Sequence, residues 1–151
     1  MSPERIAQGL LQSEALGVTL GGEARNQGER GMRAVGAVCF NRLAWGRWGD
    51  TYVSVVTARK QFSCWNPGED ANHLWLVRMA TLLKTGIRPK DLLPALAVAD
   101  AIVTGMFEDE THGADHYCTS ETLTTRRPQW ADPGKMTVAI GDHVFFKLRG
   151  E

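Results

Sequence analysis

Apolar residues recur at steps of three and four positions along most of the chain, which predicts a mainly helical protein. The strongest pattern covers 29–45 and predicts a long helix whose apolar face carries Met32, Val35, Val38, Cys39 and Leu43. Further helices are predicted from Ser2-Pro3 onward and over 14–24, 50–56, 70–84 and 94–105. Ser2 is the expected cap of the first helix and Asp50 that of the short one. In the 70–84 helix, the residues expected to face the core are Leu74, Val77, Leu82 and Leu83.

The C-terminal third of the chain has a different pattern. Residues 114–119 read as extended, and 137–140 and 143–146 flank Gly141-Asp142, a dipeptide typical of a tight hairpin turn. The sequence therefore predicts an α+β protein, mostly helical, with a small C-terminal antiparallel sheet. Residues 1–151 show no repeat, low-complexity tract or linker, so a single domain is expected.

Charge and composition narrow the class of protein. Seventeen basic and seventeen acidic residues give a net charge of zero, so no nucleic-acid partner is expected. No apolar run approaches the roughly 20 residues of a membrane span, so membrane insertion is not expected. The opening residues lack a signal-peptide pattern, which predicts synthesis in the cytoplasm. Three cysteines without a Cys-x-x-Cys pair fit a reduced compartment.

Glu23 is the first candidate for chemistry. It lies in Leu20-Gly21-Gly22-Glu23-Ala24-Arg25, after apolar residues and glycines that allow a sugar to approach the backbone. A carboxyl group held against apolar surface is expected to have a raised pKa, which suits a general acid in glycoside cleavage. The alternative is a surface glutamate that pairs with Arg25 or Arg33.

The segment Gln61-Phe62-Ser63-Cys64-Trp65-Asn66 is the second candidate, within a predicted loop over 59–68. Ring faces can cover the C–H face of a pyranose while amides and hydroxyls bind its polar groups. The alternative is that Phe62 and Trp65 are tucked into the core.

The third candidate is Asp115-His116-Tyr117-Cys118, followed by Trp130. A zinc site could combine His112, His116, Cys118 and His143, but their spacing matches no metal signature, so neither a metal nor another cofactor is expected. A cysteine peptidase built on Cys39, Cys64 or Cys118 is a further alternative, although none lies in a local signature.

Several of these blocks together resemble SleB-type cell wall hydrolases, the family of spore-cortex-lytic enzymes and related bacterial and phage proteins. The resemblance spans roughly residues 14 to 148. It is carried by Gly22-Glu23-Ala24-Arg25, Gly31, Ala34-Val35, Ala37-Val38, Asn41-Arg42, Gln61-Phe62-Ser63, 97–102, His116-Tyr117, Trp130 and 140–145. The chain departs from the family pattern at Gly22, at Asn26-Gln27, where Gly-Glu is more usual, and at Cys118.

The resemblance implies a lysozyme-like or lytic-transglycosylase-like fold, with a cleft between a helical lobe and a small β lobe. It implies that Glu23 is the catalytic acid and that the substrate is the glycan strand of peptidoglycan. It also favours a substrate-binding role for Gln61, Phe62, Ser63, Trp65, His116, Tyr117 and Trp130.

The expected reaction is cleavage of the β-1,4 bond between N-acetylmuramic acid and N-acetylglucosamine. A hydrolase needs a second carboxylate, for which Asp50, Glu69, Asp70 and Asp115 are candidates by composition only. A lytic transglycosylase needs none, which favours that reaction. The rival classes are a cysteine- or zinc-dependent peptidoglycan peptidase or amidase, and a non-catalytic peptidoglycan-binding module.

The setting expected from the sequence is that of a phage endolysin. Such a protein acts as a monomer, accumulates in the host cytoplasm and reaches the periplasmic or cell-wall peptidoglycan after release.

Overall fold

The structure, a computed structural model, describes residues 1–150. Its helices and strands follow the predicted order, except that the short helix Ser120–Thr125 was not predicted. The helices are α1 (Pro3–Ala7), α2 (Gln12–Ala24), α3 (Gly28–Trp45), α4 (Tyr52–Thr57), α5 (His73–Lys84), α6 (Leu93–Val103) and α7 (Ser120–Thr125). The strands are β1 (His116–Thr119), β2 (Met136–Ile140) and β3 (His143–Phe146). Short 3-10 turns occupy Arg25–Gln27, Ser63–Trp65, Lys90–Leu92 and Pro133–Lys135. The predicted fold class, mostly helical with a small antiparallel sheet, is confirmed.

Local hydrogen bonds explain where several helices begin. The Ser2 side chain accepts from the backbone N–H of Arg5, as predicted for the cap of α1. The predicted cap Asp50 is wrong, because Thr51 accepts from the N–H of Ser54 and starts α4. Helix α5 begins at His73 and not at Asp70, since the Asp70 carboxylate accepts from the N–H of Asn72 and holds a turn there.

The inward face of α5 also differs from the prediction. Leu74, expected in the core, is 79% exposed, whereas the buried residues of the helix are His73, Leu76, Met79, Ala80 and Leu83. At 3.6 residues per turn, Leu74 lies roughly 200° around the helix from Leu76, so the two cannot share a face. Val77 and Leu82 pack partly buried against the core.

Helix α2 is the central element of the helical lobe. Every residue from Ala15 to Gly22 is buried, and α3, α4, α5 and α6 surround it. Glycines allow this close packing: a Cβ on Gly17 would lie 2.7 Å from Leu96, and one on Gly22 would lie 2.9 Å from Cys64. The last turn of α2, which carries Glu23, is therefore held by packing on most sides.

The sheet has the order β1-β3-β2 and all its pairs are antiparallel. Tyr117 lies opposite Phe145 and Thr119 lies opposite His143, so these four side chains share one face. That face contacts α3, because Phe145 belongs to a buried cluster with Ala34 and Val38. The opposite face packs on the segment that contains Trp130 and Ala131.

No helix within residues 1–150 combines the length and the apolar character required to cross a membrane.

The aromatic rings of the 61–66 segment belong to the core. Phe62 and Trp65 are each 1% exposed. The indole N–H of Trp65 donates to the Thr19 hydroxyl at 2.9 Å, and that hydroxyl donates to the Ala15 carbonyl at 2.8 Å. Neither ring face is available to a sugar, so the substrate-stacking role predicted for Phe62 and Trp65 is wrong.

We expect Thr19→Val to destabilise the fold by about 1–3 kcal/mol, because it leaves the buried Trp65 N–H without an acceptor. Thr81→Val is the matched control. Its hydroxyl makes the same bond to the carbonyl four residues earlier, but it is exposed and accepts no hydrogen bond, so a change within about 0.5 kcal/mol is expected. Urea unfolding of both variants measures the difference, and equal effects would show that the Trp65 bond adds nothing.

Candidate active site

The carboxyl group of Glu23 lies where three distant segments meet. Its Oε1 accepts from the Tyr117 hydroxyl at 2.5 Å, a contact between residues 94 positions apart. Its Oε2 accepts from the backbone N–H of Cys64 at 3.3 Å, and the Cys64 thiol donates as well. The last turn of α2, the Ser63–Trp65 turn and strand β1 thus converge on one side chain.

Within residues 1–150, no arginine pairs with Glu23. Arg25 lies over the Trp75 ring at 4.1 Å and donates to the Gly21 carbonyl. Arg33 pairs with Glu29 and Glu110. The alternative of a surface ion pair is therefore wrong for Glu23.

The surroundings of Glu23 favour its protonated form. Burial raises the pKa of the Glu23 carboxyl above its usual 4.5, while the hydrogen bonds from Tyr117 and Cys64 pull it the other way and the charge of Asp70 raises it further. Burial prevails, so the pKa of this carboxyl is raised. A carboxyl group whose pKa is raised keeps its proton to higher pH than usual and can act as a general acid.

The residues around Glu23 are themselves held in place. The Cys64 side chain packs against Gly22, where no Cβ could fit. The His73 ring Nδ1 lies 3.0 Å from the Cys64 carbonyl oxygen, which ties the turn to α5. The Tyr117 ring lies 4.9 Å from the His143 ring and 5.8 Å from that of Phe145, centroid to centroid. Both donors to Glu23 are therefore fixed before any substrate binds.

Burial and the Glu23 carboxylate raise the pKa of Tyr117 well above its usual 10. The hydroxyl therefore keeps its proton and remains a hydrogen-bond donor to Glu23.

A polar cleft of about 300 Å³ opens beside Glu23, and we name it the Glu23 cleft. It is lined by Gly21, Gly22, Glu23, Arg25, Asn26, Gln27, Asn72, Thr119, Asp142 and His143. One wall comes from the helical lobe and the other from the sheet and its hairpin turn. Its size is at the lower end of the range for ligand sites.

A pair of hydrogen bonds joins the two walls of the Glu23 cleft. The Gln27 amide donates to Asp142 Oδ2 at 3.0 Å, and its Oε1 accepts from the Asp142 backbone N–H at 3.0 Å. We call this pair the Gln27–Asp142 clasp. Glycine suits position 141 because its φ of +58° lies in the left-handed region, and a Cβ there would also lie 2.4 Å from Gln27 Oε1.

The structure brings only some of the predicted binding residues to Glu23. Tyr117 contacts it directly, and Ser63 lies in the adjoining turn, where its hydroxyl donates to Asp70 at 2.7 Å. Gln61 is not among the residues that line the cleft. Its Oε1 accepts from the Arg42 guanidinium at 2.9 Å, inside a cluster that links α3 to β1.

The predicted roles of His116 and Trp130 at the Glu23 site are wrong. Successive strand residues point to opposite faces, so His116 lies across the sheet from Tyr117. Its ring contacts those of Trp48 and Trp130 at centroid distances of 5.7 and 4.9 Å, and its Nδ1 lies 2.8 Å from Asp115 Oδ1. Trp130 packs on Phe146 on the same side.

Besides Glu23, the cleft is lined by seven polar residues, none of which the sequence predicted as a binding residue: Arg25, Asn26, Gln27, Asn72, Thr119, Asp142 and His143. Thr119 could have been found, since it lies two residues after Tyr117 on the same strand face. His143 had been considered only as a zinc ligand.

Of the four candidates for a second carboxylate, Asp70 is the one whose charge acts on Glu23. Its oxygens accept from the Ser63 hydroxyl and the Asn72 N–H, each at 2.7 Å. Asp115 instead accepts from His116 and from the N–H groups of Leu148 and Arg149, which fastens the end of the chain to β1. Burial of Asp115 opposes these bonds, but their net effect lowers its pKa. Asp50 and Glu69 are exposed on the surface.

The cysteines are buried thiols. Burial raises the pKa of Cys39 to about 12, that of Cys64 well above 9, and that of Cys118 above 9. A nucleophilic cysteine requires the opposite shift. The side chain next to the Cys64 thiol is moreover the Glu23 carboxyl and not a histidine ring, so no observation favours a cysteine peptidase.

The residues considered for zinc are not brought together. His116 and Cys118 point away from the sheet face that carries His143. Within residues 1–150 there is no group of three or more His, Cys, Asp or Glu side chains that could hold a metal ion.

A larger cavity, of about 530 Å³, lies away from Glu23 between α3, α6 and the 106–110 segment. It is lined by apolar residues and by Glu29, Glu108 and Glu110. Glu29 and Glu110 pair with Arg33, and hydrogen bonds from Arg30 and Arg33 lower the pKa of Glu110. Glu108 is exposed, so none of the three is a desolvated carboxyl like that of Glu23. We therefore assign the chemistry to the smaller, polar cleft.

Comparison with known proteins supports this fold and shows the family. The family model described as Cell Wall Hydrolase matches residues 26–146, and the chain belongs to that family. It is therefore an enzyme of peptidoglycan degradation, and the expected SleB-type family is confirmed. The matched segment begins three residues after Glu23, so the case for Glu23 depends on the geometry described above.

Among solved structures, the chain is similar to the catalytic domain of the germination-specific lytic transglycosylase SleB from Bacillus anthracis. The TM-score is 0.62 at 21% identity, over 90% of this chain and 93% of that one. This similarity concerns the fold. No curated protein sequence matches.

We expect Glu23→Gln to raise stability at neutral pH. The pKa of Glu23 is higher in the folded protein than in the unfolded chain. Between those two pKa values, unfolding releases a proton, so the free energy of unfolding of wild type falls as pH rises through that range. Glutamine keeps the shape and cannot ionise. The midpoint of thermal unfolding should be higher for the variant at pH 7.5, and the gain should shrink towards pH 4.5. The control is Glu69→Gln on the surface; a Glu23→Gln midpoint at or below wild type at pH 7.5 would contradict a desolvated Glu23.

Proposed function

We propose that this chain cleaves the β-1,4 bond between N-acetylmuramic acid and N-acetylglucosamine in peptidoglycan, with Glu23 as the catalytic acid. The observation that supports this most is the desolvated Glu23 carboxyl, held by Tyr117 and Cys64 at the edge of a polar cleft. A carboxylic acid that is kept neutral and positioned by fixed donors is what protonation of a glycosidic oxygen requires.

In the first step, the Glu23 proton passes to the glycosidic oxygen as the bond from the muramic C1 to that oxygen breaks. The Glu23 carboxylate that results accepts hydrogen bonds from the Tyr117 hydroxyl and the Cys64 N–H and thiol, which stabilise its charge. The same three donors therefore lower the cost of ionising a buried group at the moment it loses its proton.

In the second step, we propose that the C6 hydroxyl of the same muramic residue attacks C1. Glu23 takes up the hydroxyl proton, which gives a 1,6-anhydro product and restores the acid. This lytic transglycosylase reaction uses one carboxylate, and the surroundings of Glu23 favour it. Asp142, the other carboxylate of the cleft, has Oδ2 engaged by Gln27, and Asp70 is held by Ser63 and Asn72.

The similarity to a protein described as a lytic transglycosylase supports the same choice. A non-catalytic peptidoglycan-binding module would have no use for a half-buried carboxyl group with a raised pKa. Hydrolysis by an activated water is the second candidate, and its product distinguishes it.

The finer biological role that we propose is host-cell lysis as a monomeric phage endolysin, made in the cytoplasm and acting on the periplasmic or cell-wall peptidoglycan after release. Its support is the sequence resemblance to a family that includes phage proteins. Expression in a Gram-negative host tests it: cells should lyse when the inner membrane is permeabilised, and remain intact when it is not.

Mass spectrometry of the fragments released from purified sacculi should detect 1,6-anhydromuramic ends with wild type. Glu23→Gln should lower the rate of release by at least a hundredfold, since general acid catalysis contributes about 10²–10⁴-fold. Glu69→Gln should keep the wild-type rate. Reducing ends would indicate a hydrolase, and a Glu23→Gln variant that keeps a third of the rate would remove Glu23 from the mechanism.

Tyr117→Phe should lower turnover by roughly ten- to a hundredfold, because Glu23 loses a hydrogen bond that is strongest when it is ionised. In wild type, the hydrogen bond from Tyr117 lowers the pKa of Glu23, so its loss in the variant should raise that pKa. The alkaline limb of the kcat/KM profile should therefore move to higher pH in the variant. Tyr52→Phe is the matched control, since Tyr52 is buried elsewhere in the core. An unchanged pH profile would argue against the contact between Tyr117 and Glu23.

A further inference from the structure

His143 presents an unexplained ring in the wall of the Glu23 cleft. The residue is only 6% exposed, yet Nδ1 of its ring has no hydrogen-bond partner. Within residues 1–150, this is the one buried side-chain nitrogen or oxygen without a partner. Such groups are rare because they cost about 1–3 kcal/mol, which marks the ring as retained for some purpose other than packing.

The other ring nitrogen, Nε2, makes no hydrogen bond to the described residues and, unlike Nδ1, is not sealed from solvent. Because His143 lines the Glu23 cleft, we infer that Nε2 is the ring atom that faces it. Burial lowers the pKa of His143, against the smaller effect of Asp142, so the ring is neutral at neutral pH. A buried N–H without an acceptor is rarer than a buried acceptor without a donor. The single proton therefore belongs on Nε2, which directs an N–H group into the cleft.

We propose that His143 is a substrate-binding residue whose Nε2–H donates to the carbonyl oxygen of the 2-acetamido group on the sugar that Glu23 acts on. This inference depends on the proposed function of the same cleft. It assigns to His143 the recognition of N-acetylated glycan.

The choice of the acetamido carbonyl follows from the chemistry of the two partners. An Nε2–H that can only donate is matched by an oxygen that can only accept, and both sugars of the strand carry such an oxygen in their acetamido groups. The position also fits, because the His143 ring contacts the Tyr117 ring at 4.9 Å, and the Tyr117 hydroxyl bonds to Glu23. Strand pairing opposite Thr119 fixes the backbone of His143 and so the reach of the donor.

Two variants separate recognition from a structural role. His143→Gln places an amide N–H near the position of Nε2, whereas His143→Leu removes the donor and fills the space. Because the leucine variant also removes the unpartnered Nδ1, its thermal midpoint should equal or exceed that of wild type. Each protein is assayed for release of soluble glycan from native sacculi and from the same sacculi after N-deacetylation.

On native sacculi, His143→Leu should lower kcat/KM roughly tenfold, which corresponds to one lost hydrogen bond at about 1.4 kcal/mol. His143→Gln should stay within about threefold of wild type. Deacetylation of the sacculi should lower the kcat/KM of wild type by roughly the same tenfold factor. It should lower the kcat/KM of His143→Leu by much less, since the leucine variant has no contact with the acetamido group left to lose. A purely structural role would give the same deacetylation factor in both proteins.

The proposal is overturned if His143→Leu matches wild type on native sacculi, or if deacetylation lowers both proteins equally. A folded wild type that releases no glycan from native sacculi contradicts the proposed function itself. The two failures are therefore distinguishable in one set of assays.

Discussion

The removal of the Glu23 carboxyl from water is the constraint on which the rest of the site depends. A desolvated carboxyl needs hydrogen-bond donors, and here they come from the Ser63–Trp65 turn and from β1. Cys64 belongs to the helical lobe and Tyr117 to the sheet, so one side chain fixes the position of both lobes. These donors bond to the carboxyl oxygens, and their hydrogen bonds strengthen when the proton leaves and the group becomes charged. Structure and chemistry therefore impose the same arrangement on these residues.

Helix α2 makes this arrangement possible because nearly all of its surface is buried. It is buried from Ala15 to Gly22, and its glycines remove the side chains that would keep Cys64 and Leu96 away. Most buried helices serve packing alone. Here the burial also brings the last turn, with its single acidic group, to the floor of a polar cleft. The position of Glu23 therefore follows from the packing of the whole helix as well as from the contacts of its own side chain.

Periodicity predicted the helices and the Gly141-Asp142 hairpin because those patterns are local. The residues that were misplaced lie where no local rule applies. Phe62 and Trp65 lie in a loop, where composition does not tell an inward ring from an outward one. His116 was assigned to the site together with Tyr117, although strand alternation allows only one of the two to face Glu23. His143 lies in a strand whose four residues are all buried, so no alternation marked its function. Gln27 and Asp142 are 115 residues apart, and only the fold brings them together.

The Gln27–Asp142 clasp is only the outer part of the connection between the lobes. Its two exposed hydrogen bonds contribute about 1–3 kcal/mol at the usual 0.5–1.5 kcal/mol each. The contacts of Glu23 with Cys64 and Tyr117 and the packing of Phe145 on Ala34 and Val38 join the same two lobes. Opening the clasp therefore removes the surface part of the connection, while the inner part keeps the relative position of the lobes.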